Sequence, residues 1–410
     1  MERRLQKKVR KLRLLAIFFT FFVDNLSWAI VFPVFAPYFL NPDVLHFPDL
    51  SVAARTALLG VFLSAFPLGQ FFGAPIIGEF ADKNGRRKAL LCTISLTSLG
   101  FFLSAFAMEY QALVLLFFSR LLSGLFSGNL SICLAAAADL STGEKERVKH
   151  FGSLAVCAGT AFILGAFLGG KFSDTALSPL FSFALPFWIG AGITLVNLVF
   201  VACFFQESYE KKPDVHFHFL ESFHQIKLAL QTENIKTIYL IYLLFLIAWN
   251  LLMQFAPVIA VNTFAFSPSE LGMFIAFVGV SWAVGAGIIS KLAMHYISPR
   301  NILLICLSAF SALCFTVVFA KTSWLLVLNI SLAIVFSAVS WPICTNIISQ
   351  KAGNAMQGKV LGVSQSMQSF AMAISPLFAV LTFLYLYAPF LLASFAALAA
   401  LVLFYLSKVR

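Results

Sequence analysis

Long apolar runs alternate with short polar stretches along this chain. The runs are about 20 residues long, which is enough for a helix to cross the hydrocarbon core of a bilayer. A longer polar stretch, residues 206–236, divides them into two sets of six. The pattern predicts membrane-spanning helices at 14–39, 57–80, 88–108, 111–138, 151–172, 181–205, 237–264, 268–295, 301–320, 324–349, 358–383 and 388–406.

The two sets predict an all-α membrane protein of twelve transmembrane helices in two six-helix bundles. We expect a basic segment at 1–13, one bundle at 14–205, a linker at 206–236 and a second bundle at 237–410. The composition agrees, because 60% of the 410 residues are hydrophobic and only 11% are charged. Such a balance excludes a soluble domain of this length.

Lys and Arg are concentrated in alternate loops. The N-terminal segment, the loop around Arg86 and the later loops on the same side carry nearly all of them, whereas the opposite loops keep only Arg55, Lys171 and Lys321. Basic loops stay in the cytoplasm, so both termini are predicted to be cytoplasmic (N-in, C-in). We therefore interpret the net charge of +11 as an orientation signal beside anionic lipid, and not as nucleic-acid binding.

Cysteine and histidine give no sign of a metal or cofactor. All seven cysteines fall inside predicted spans without metal-ligand spacing, so we expect packing residues rather than a disulfide framework. The linker contains His216, His218 and His224, whose spacing does not suit a metal site and is typical of a solvated segment. We expect no cofactor and no bound metal.

The loop after the second predicted span has an unusual order of glycine and charge. Residues 78–90 read GEFADKNGRRKAL, and Gly85 gives the backbone freedom for a tight reversal. The order resembles the G-x-L-A-D-R-x-G-R-(R/K) loop between helices 2 and 3 of the major facilitator superfamily, with Gly78, Asp82, Gly85, Arg86 and Arg87 in place. The resemblance implies that fold, alternating access and a gating role for these residues. An ordinary basic cytoplasmic loop is the alternative. We also expect Gly78 to admit a close helix approach.

Two charged residues fall deep inside predicted spans. Asp24 lies about twelve residues into the first span, near mid-membrane at about 1.5 Å per residue, where a carboxylate is costly and by default functional. Arg120 in the fourth span keeps its proton, so it acts on the field of an acid, binds an anion or orders water. The alternatives remain open that Asp24 caps a helix break or is held by Asn25, and that Arg120 only pairs with Asp24.

The surroundings of both charges resemble the drug/proton antiporter branch of the superfamily, which includes the tetracycline efflux proteins. The first span has the D-x8-P-V pattern from Asp24, although Pro37 follows Pro33 by four residues where that branch usually has three. The fourth span has R-x-x-x-G at Arg120 and Gly124. The resemblance implies that Asp24 and Arg120 couple transport to protons.

The next stretches resemble the same branch. The run AADLSTGEKERVKHFG is similar to a stretch of the tetracycline-type efflux proteins. The resemblance implies a surface network of charged side chains, including Asp139 and Arg147, that holds adjacent cytoplasmic helix ends together. The fifth span resembles G-x3-G-P-x2-G-G at Gly165, Gly169 and Gly170, but Ala replaces the expected proline and the first glycine. We expect the small residues to let helix 5 pack closely against the opposite half.

Uncharged polar and aromatic side chains are the candidates for a substrate cavity, since the spans of the second half contain no acid apart from Glu270 at the start of one span. Such a neutral pocket suits amphipathic compounds. The candidates are Asn25, Trp28, Asn129, Trp249, Asn250, Gln254, Trp282, Trp341, Asn346, Gln365 and Gln368.

These features predict a monomeric transporter in a bacterial inner membrane, with a small molecule, the proton and lipid as its partners. We expect multidrug-type efflux of an organic compound by proton antiport, and no enzyme, because the spans lack clustered His, Asp or Glu. Uptake or export of a nutrient or metabolite (a sugar, an amino acid or a siderophore-like compound) by the same fold is the alternative. A non-transporting receptor built on the fold is a further one.

Overall fold

A computed structural model describes residues 2–45, 49–127, 129–141, 143–207, 233–352 and 357–407. Among them it contains 12 helical spans that are long and apolar enough to cross a membrane. The predicted number of spans is therefore confirmed. Most of the predicted linker, with its three histidines, lies outside the described residues.

The helices are numbered in chain order. The first half contains α1 (Glu2–Ala29), α2 (Phe32–Leu40), α3 (Val52–Asn84), α4 (Arg86–Glu109), α5 (Leu113–Leu125), α6 (Asn129–Asp139), α7 (Glu144–Ser173) and α8 (Leu185–Phe204). The first span breaks between α1 and α2, just before Pro33, because proline cannot donate a backbone hydrogen bond inside a helix. The fourth span is also divided, into α5 and α6, at a break that contains no proline.

The second half contains α9 (Glu233–Phe264), α10 (Pro268–Val284), α11 (Ser290–Tyr296), α12 (Pro299–Thr316), α13 (Ser323–Ala352), α14 (Gln357–Ile374) and α15 (Ala388–Leu406). A π-helical turn, Gly285–Ile289, joins α10 to α11. Short 3₁₀ segments follow α12 and α14, at Val317–Phe319 and Ser375–Phe383. The capping box of Ser267 and Glu270 fixes the start of α10.

The chain forms two compact units. The first comprises Met1–Val34 and Ala65–Phe219, and the second comprises Phe35–Ser64 and Leu220–Arg410. In the first unit α1 packs on α7 and α4 on α8, around an apolar core that includes Ile17, Phe21 and Ile94. In the second unit α9 packs on α15, and α13 on α10 and α12. Residues 35–64, predicted as part of the first bundle, pack with the second unit.

Candidate functional site

Asp24 lies in α1 in a polar group formed by three helices. Its Oδ1 accepts a hydrogen bond of 3.0 Å from the side-chain amide of Asn129 at the start of α6, and its Oδ2 is buried without a partner. The hydroxyl of Thr93 in α4 is within hydrogen-bond distance of the Asn129 carbonyl oxygen. Asn129 is fully buried and its amide holds one oxygen of the Asp24 carboxylate, while its role in a substrate cavity stays a prediction.

The structure removes one alternative for Asp24. The amide of Asn25 donates to the backbone oxygen of Phe21 at 2.8 Å, one turn earlier in the same helix. Asn25 therefore satisfies its donor locally and does not hold Asp24. Trp28, the next candidate in α1, packs against Phe32 and Phe162, with ring centroids 4.7 and 5.6 Å away.

Arg120 lies in α5 within an aromatic cage. Its guanidinium is 5.0, 5.6 and 5.8 Å from the ring centroids of Phe66, Phe101 and Phe187. Only 2% of the residue is exposed, and Nη1 is buried without a hydrogen-bond partner. Cation–π attraction of about 0.5–2 kcal/mol per favourable ring offsets part of the desolvation of this charge.

The structure does not bring Arg120 and Asp24 together. No ion pair between them occurs in the described part of the chain, so the alternative that Arg120 only pairs with Asp24 has no direct contact to support it. The physical reason is the direction of the two side chains. Asp24 points toward α4 and α6, whereas Arg120 points into rings supplied by α3, α4 and α8.

The glycine-rich loop between α3 and α4 holds a small charge network. Asp82 Oδ1 is 2.8 Å from Arg86 Nη1, and Arg86 Nε lies 3.7 Å from Asp139 Oδ2 at the end of α6. Asp139, the predicted member of this network, is therefore in place. Gly85 has φ +95°, a conformation that favours glycine, and it turns the chain sharply into α4.

Glu207, which the sequence reasoning missed, binds the beginning of α4. Its two carboxylate oxygens accept hydrogen bonds from the backbone N–H groups of Arg86 and Arg87 at 3.0 and 3.1 Å. The Arg87 guanidinium donates to the backbone oxygen of Ala202 at 2.8 Å. A carboxylate at a helix N-terminus meets unpaired donors and the positive end of the dipole. The available signal was an acid directly after the sixth span.

Two other predicted members of this region have different outcomes. No described atom lies within 4 Å of the side-chain position of Gly78, so the close helix approach expected there is not found among the described residues. The side chain of Arg147 lies outside the described part of the structure. Its neighbour Glu146 in α7 pairs with Arg10 of α1.

The glycines of the fifth span pack against α1. A Cβ atom at Gly165 would lie 2.6 Å from the backbone oxygen of Leu26, and one at Gly169 would lie 2.3 Å from that of Ile30. Gly170 is also buried. Within the first unit these glycines therefore contact a neighbouring segment of the same half. Packing of this span on the opposite half stays a prediction. Helix α7 continues without a break through Ala166, where the resemblance expected proline.

In the second unit the predicted cavity residues fall into two groups. Trp249, Trp282 and Trp341 contact one another, with centroid distances of 5.4–5.6 Å. The remaining candidates are scattered. Asn250 donates to the backbone oxygen of Leu246 at 2.8 Å and Gln254 to that of Met372 at 3.3 Å, whereas Asn346 and Gln365 are exposed and Gln368 is half-buried.

A sequence profile of the Major Facilitator Superfamily matches residues 17–376. The chain belongs to this superfamily. It is therefore a multi-pass membrane transporter and not an enzyme.

Several curated proteins are similar to it over most of their length. The class C tetracycline resistance protein of Escherichia coli is 23% identical over 370 residues, which cover 89% of this chain and 88% of that protein. The class B protein of the same organism is 26% identical over a region that covers 78% of this chain and 77% of that protein. Major facilitator superfamily domain-containing protein 10 of Mus musculus is 24% identical, with 78% and 72% covered.

Solved structures share the fold. The human organic anion transporter MFSD10 (TETRAN) matches with a TM-score of 0.72 at 20% identity, covering 96% of this chain and 99% of that one. A D-xylose-proton symporter matches with the same TM-score of 0.72 at 16% identity, covering 95% and 97%. At these identities the likeness concerns the fold.

Proposed function

We propose that this transporter exports a small organic or amphipathic compound in exchange for protons, by alternating access. The observation that carries the proposal is the Asp24 carboxylate, which lies within a span with Oδ1 bonded to Asn129 and Oδ2 buried and unpaired. A carboxylate in a membrane-spanning helix without a compensating cation is unfavourable, and a proton removes that charge. Binding and release of the proton would therefore change the energy of burying Asp24 in each half of the cycle.

The gating role of the loop after α3 is part of the proposal. The acids Asp82 and Asp139 and the backbone-binding Glu207 surround Arg86, so one basic side chain and one helix N-terminus link the ends of four helices. Such a linked cluster favours the conformation in which all of its contacts are made. A change of conformation must break some of them, so the cluster would set the balance between two states of the transporter.

Arg120 would act at a distance. Rings surround the guanidinium and no acid pairs with it among the described residues, so the charge is positioned to raise the local potential rather than to form a pair. We propose that this field helps Asp24 to release its proton once the cavity is hydrated.

The relatives support export without fixing the substrate. Tetracycline resistance proteins are named for a drug, whereas the fold neighbours are named for an organic anion and for D-xylose with a proton. The second candidate is transport of a nutrient or metabolite by the same fold. The observation that favours it is the unbroken α7, which lacks the proline of the antiporter motif. We propose a monomer in a bacterial inner membrane, with both termini cytoplasmic.

Everted membrane vesicles test the proposal. Respiration acidifies their interior, and a pH-sensitive dye reports proton efflux when tetracycline or another compound of a drug panel is added. We expect dye dequenching with the wild-type protein and none with Asp24→Asn. Dequenching that is equal in the two proteins removes Asp24 from the coupling. Accumulation of a sugar or amino acid in right-side-out vesicles, with no response to any drug, supports the second candidate.

A further inference from the structure

Three tryptophan rings form a triangle inside the second unit. Trp249 of α9, Trp282 of α10 and Trp341 of α13 have pairwise centroid distances of 5.4–5.6 Å, and their planes cross at 62–78°. This is the edge-to-face arrangement that aromatic quadrupoles favour. Tyr242 and Phe245 support the ring of Trp341 from one side, each at 6.1 Å.

The triangle lies at an unusual depth for tryptophan. Trp282 is the central residue of the 29-residue span Pro268–Tyr296, and Trp249 is one residue from the centre of the 29-residue span Lys236–Phe264. Tryptophan is enriched at the two membrane interfaces, where its ring meets hydrocarbon and its N–H meets water. At that depth Trp249 and Trp282 have neither advantage, and Trp341 lies nearer the end of its span, Ser323–Ile348.

One polar atom in the triangle lacks a partner. The indole Nε1 of Trp249 is buried, and no hydrogen-bond acceptor in the structure reaches it. An indole N–H can only donate, and leaving a buried donor unsatisfied is destabilising. All three tryptophans are nevertheless half-buried rather than fully enclosed, so part of each ring remains accessible.

The backbone beside the triangle is irregular on two of its three helices. The π-helical turn Gly285–Ile289 begins three residues after Trp282, and Pro342 directly follows Trp341 inside α13. A Cβ at Gly285 would lie 2.8 Å from the backbone oxygen of Val335, so the turn packs tightly on α13. Single π-helical turns occur frequently at functional sites.

We infer that Trp249, Trp282 and Trp341 form a binding site for the aromatic ring of a transported compound that also carries a hydrogen-bond acceptor. The ring packs edge-to-face on the exposed parts of the indoles, and a carbonyl, phenolate or carboxylate oxygen accepts from Trp249 Nε1. Charged side chains in these three spans lie only near the span ends, so the described residues of these helices place no carboxylate beside the indoles to balance a cation. The ligand is therefore neutral or anionic.

This inference rests on the proposed function, because it names the substrate class of the same transporter. The test measures binding without any ion gradient, so a failure of proton coupling leaves its result unchanged. Radiolabelled 2-naphthoate is the probe, in equilibrium dialysis with the purified full-length protein in detergent. Two competitors each keep one of the two features of the probe, the acceptor or the aromatic rings. Cyclohexanecarboxylate has the acceptor without the aromatic ring. N-methylquinolinium has two fused aromatic rings and a positive charge without the acceptor.

The matched variants are Trp249→Phe, which keeps an aromatic ring but removes the N–H, and Trp324→Phe, which alters a tryptophan that is 62% exposed. We expect saturable binding to the wild type, about a 3- to 10-fold loss of affinity in Trp249→Phe, and a change of less than about twofold in Trp324→Phe. Both competitors should bind at least about tenfold more weakly than 2-naphthoate.

Three results overturn the inference: no saturable binding of 2-naphthoate to the wild type, equal affinity in Trp249→Phe, or competition by N-methylquinolinium as strong as that by 2-naphthoate itself. The last of these would indicate a cation site. The competition experiment uses the wild-type protein alone, so it decides the question even if a variant fails to fold.

Discussion

A single methyl group added at Gly169 should separate α7 from the break between α1 and α2 and from the start of α2. Its Cβ would lie 2.3 Å from the backbone oxygen of Ile30 and 3.0 Å from Pro33 Cγ. Ordinary contacts begin at 3.4 Å, so the helices must move apart by about 1 Å. The obstacles are a backbone carbonyl and a proline ring, and neither can rotate away. Overpacking of this kind typically costs about 1–3 kcal/mol.

Gly159 in the same helix supplies the matched control, because no described atom lies within 4 Å of its side-chain position. Replacing either glycine by alanine raises helix propensity by the same amount, about 1 kcal/mol. The difference between Gly169→Ala and Gly159→Ala therefore isolates the helix contact. It should amount to about 1–3 kcal/mol in favour of Gly159→Ala.

Thermal unfolding of the purified proteins in one detergent measures this difference. We expect Gly169→Ala to melt below the wild type and Gly159→Ala at or above it, while Gly169→Leu should not yield folded protein. If Gly169→Ala melts together with Gly159→Ala, the close contact of α7 with Ile30 and Pro33 is not present in the membrane protein and the reasoning fails.

Five substitutions at four residues test the charged groups. Asp24→Asn mimics the protonated state, so it should abolish uphill transport but allow downhill exchange, and Asp24→Glu should keep partial coupling with a changed pH optimum, both measured in proteoliposomes. Asp82→Asn should cripple transport while ligand affinity and melting temperature change little, since its pair with Arg86 is half-exposed and worth less than about 1 kcal/mol. Glu207→Gln removes the charge at the start of α4 and should lower stability by about 0.5–2 kcal/mol in thermal unfolding. Arg120→Lys keeps the charge but loses the planar contact with three rings, so both melting temperature and transport should fall.

Each of these has an outcome that contradicts it. Equal substrate-induced proton release from wild type and Asp24→Asn would exclude the carboxylate from coupling. Normal transport by Asp82→Asn would leave the loop as a topology signal only. Glu109→Gln at the opposite end of α4 is the control for Glu207→Gln, and equal losses in the two would exclude an effect specific to the N-terminus of the helix. Full activity of Arg120→Lys would show that the charge alone is sufficient.

The sequence alone determined the elements and the family. Span positions depend on local hydrophobicity over about 20 residues, and the loop between α3 and α4 is recognisable because its glycines and charges lie within ten positions of one another. Asp24 could also be identified from the sequence, since a single acid inside an apolar run is recognisable without knowing its neighbours in the fold. These signals are local in the chain, so they can be recognised without knowing which helices contact one another.

Only the tertiary structure decided which side chains contact one another at the candidate site. Asn129 is 105 residues from Asp24, and Glu207 is 121 residues from Arg86, so no spacing rule connects them. The cage of Arg120 takes one ring from each of three helices, and the tryptophan triangle does the same in the second unit. In a membrane almost every face of a span is apolar, so hydrophobic periodicity does not indicate which face meets which neighbour. Packing of small residues and hydrogen bonds between helices makes that choice, and both depend on the assembled bundle.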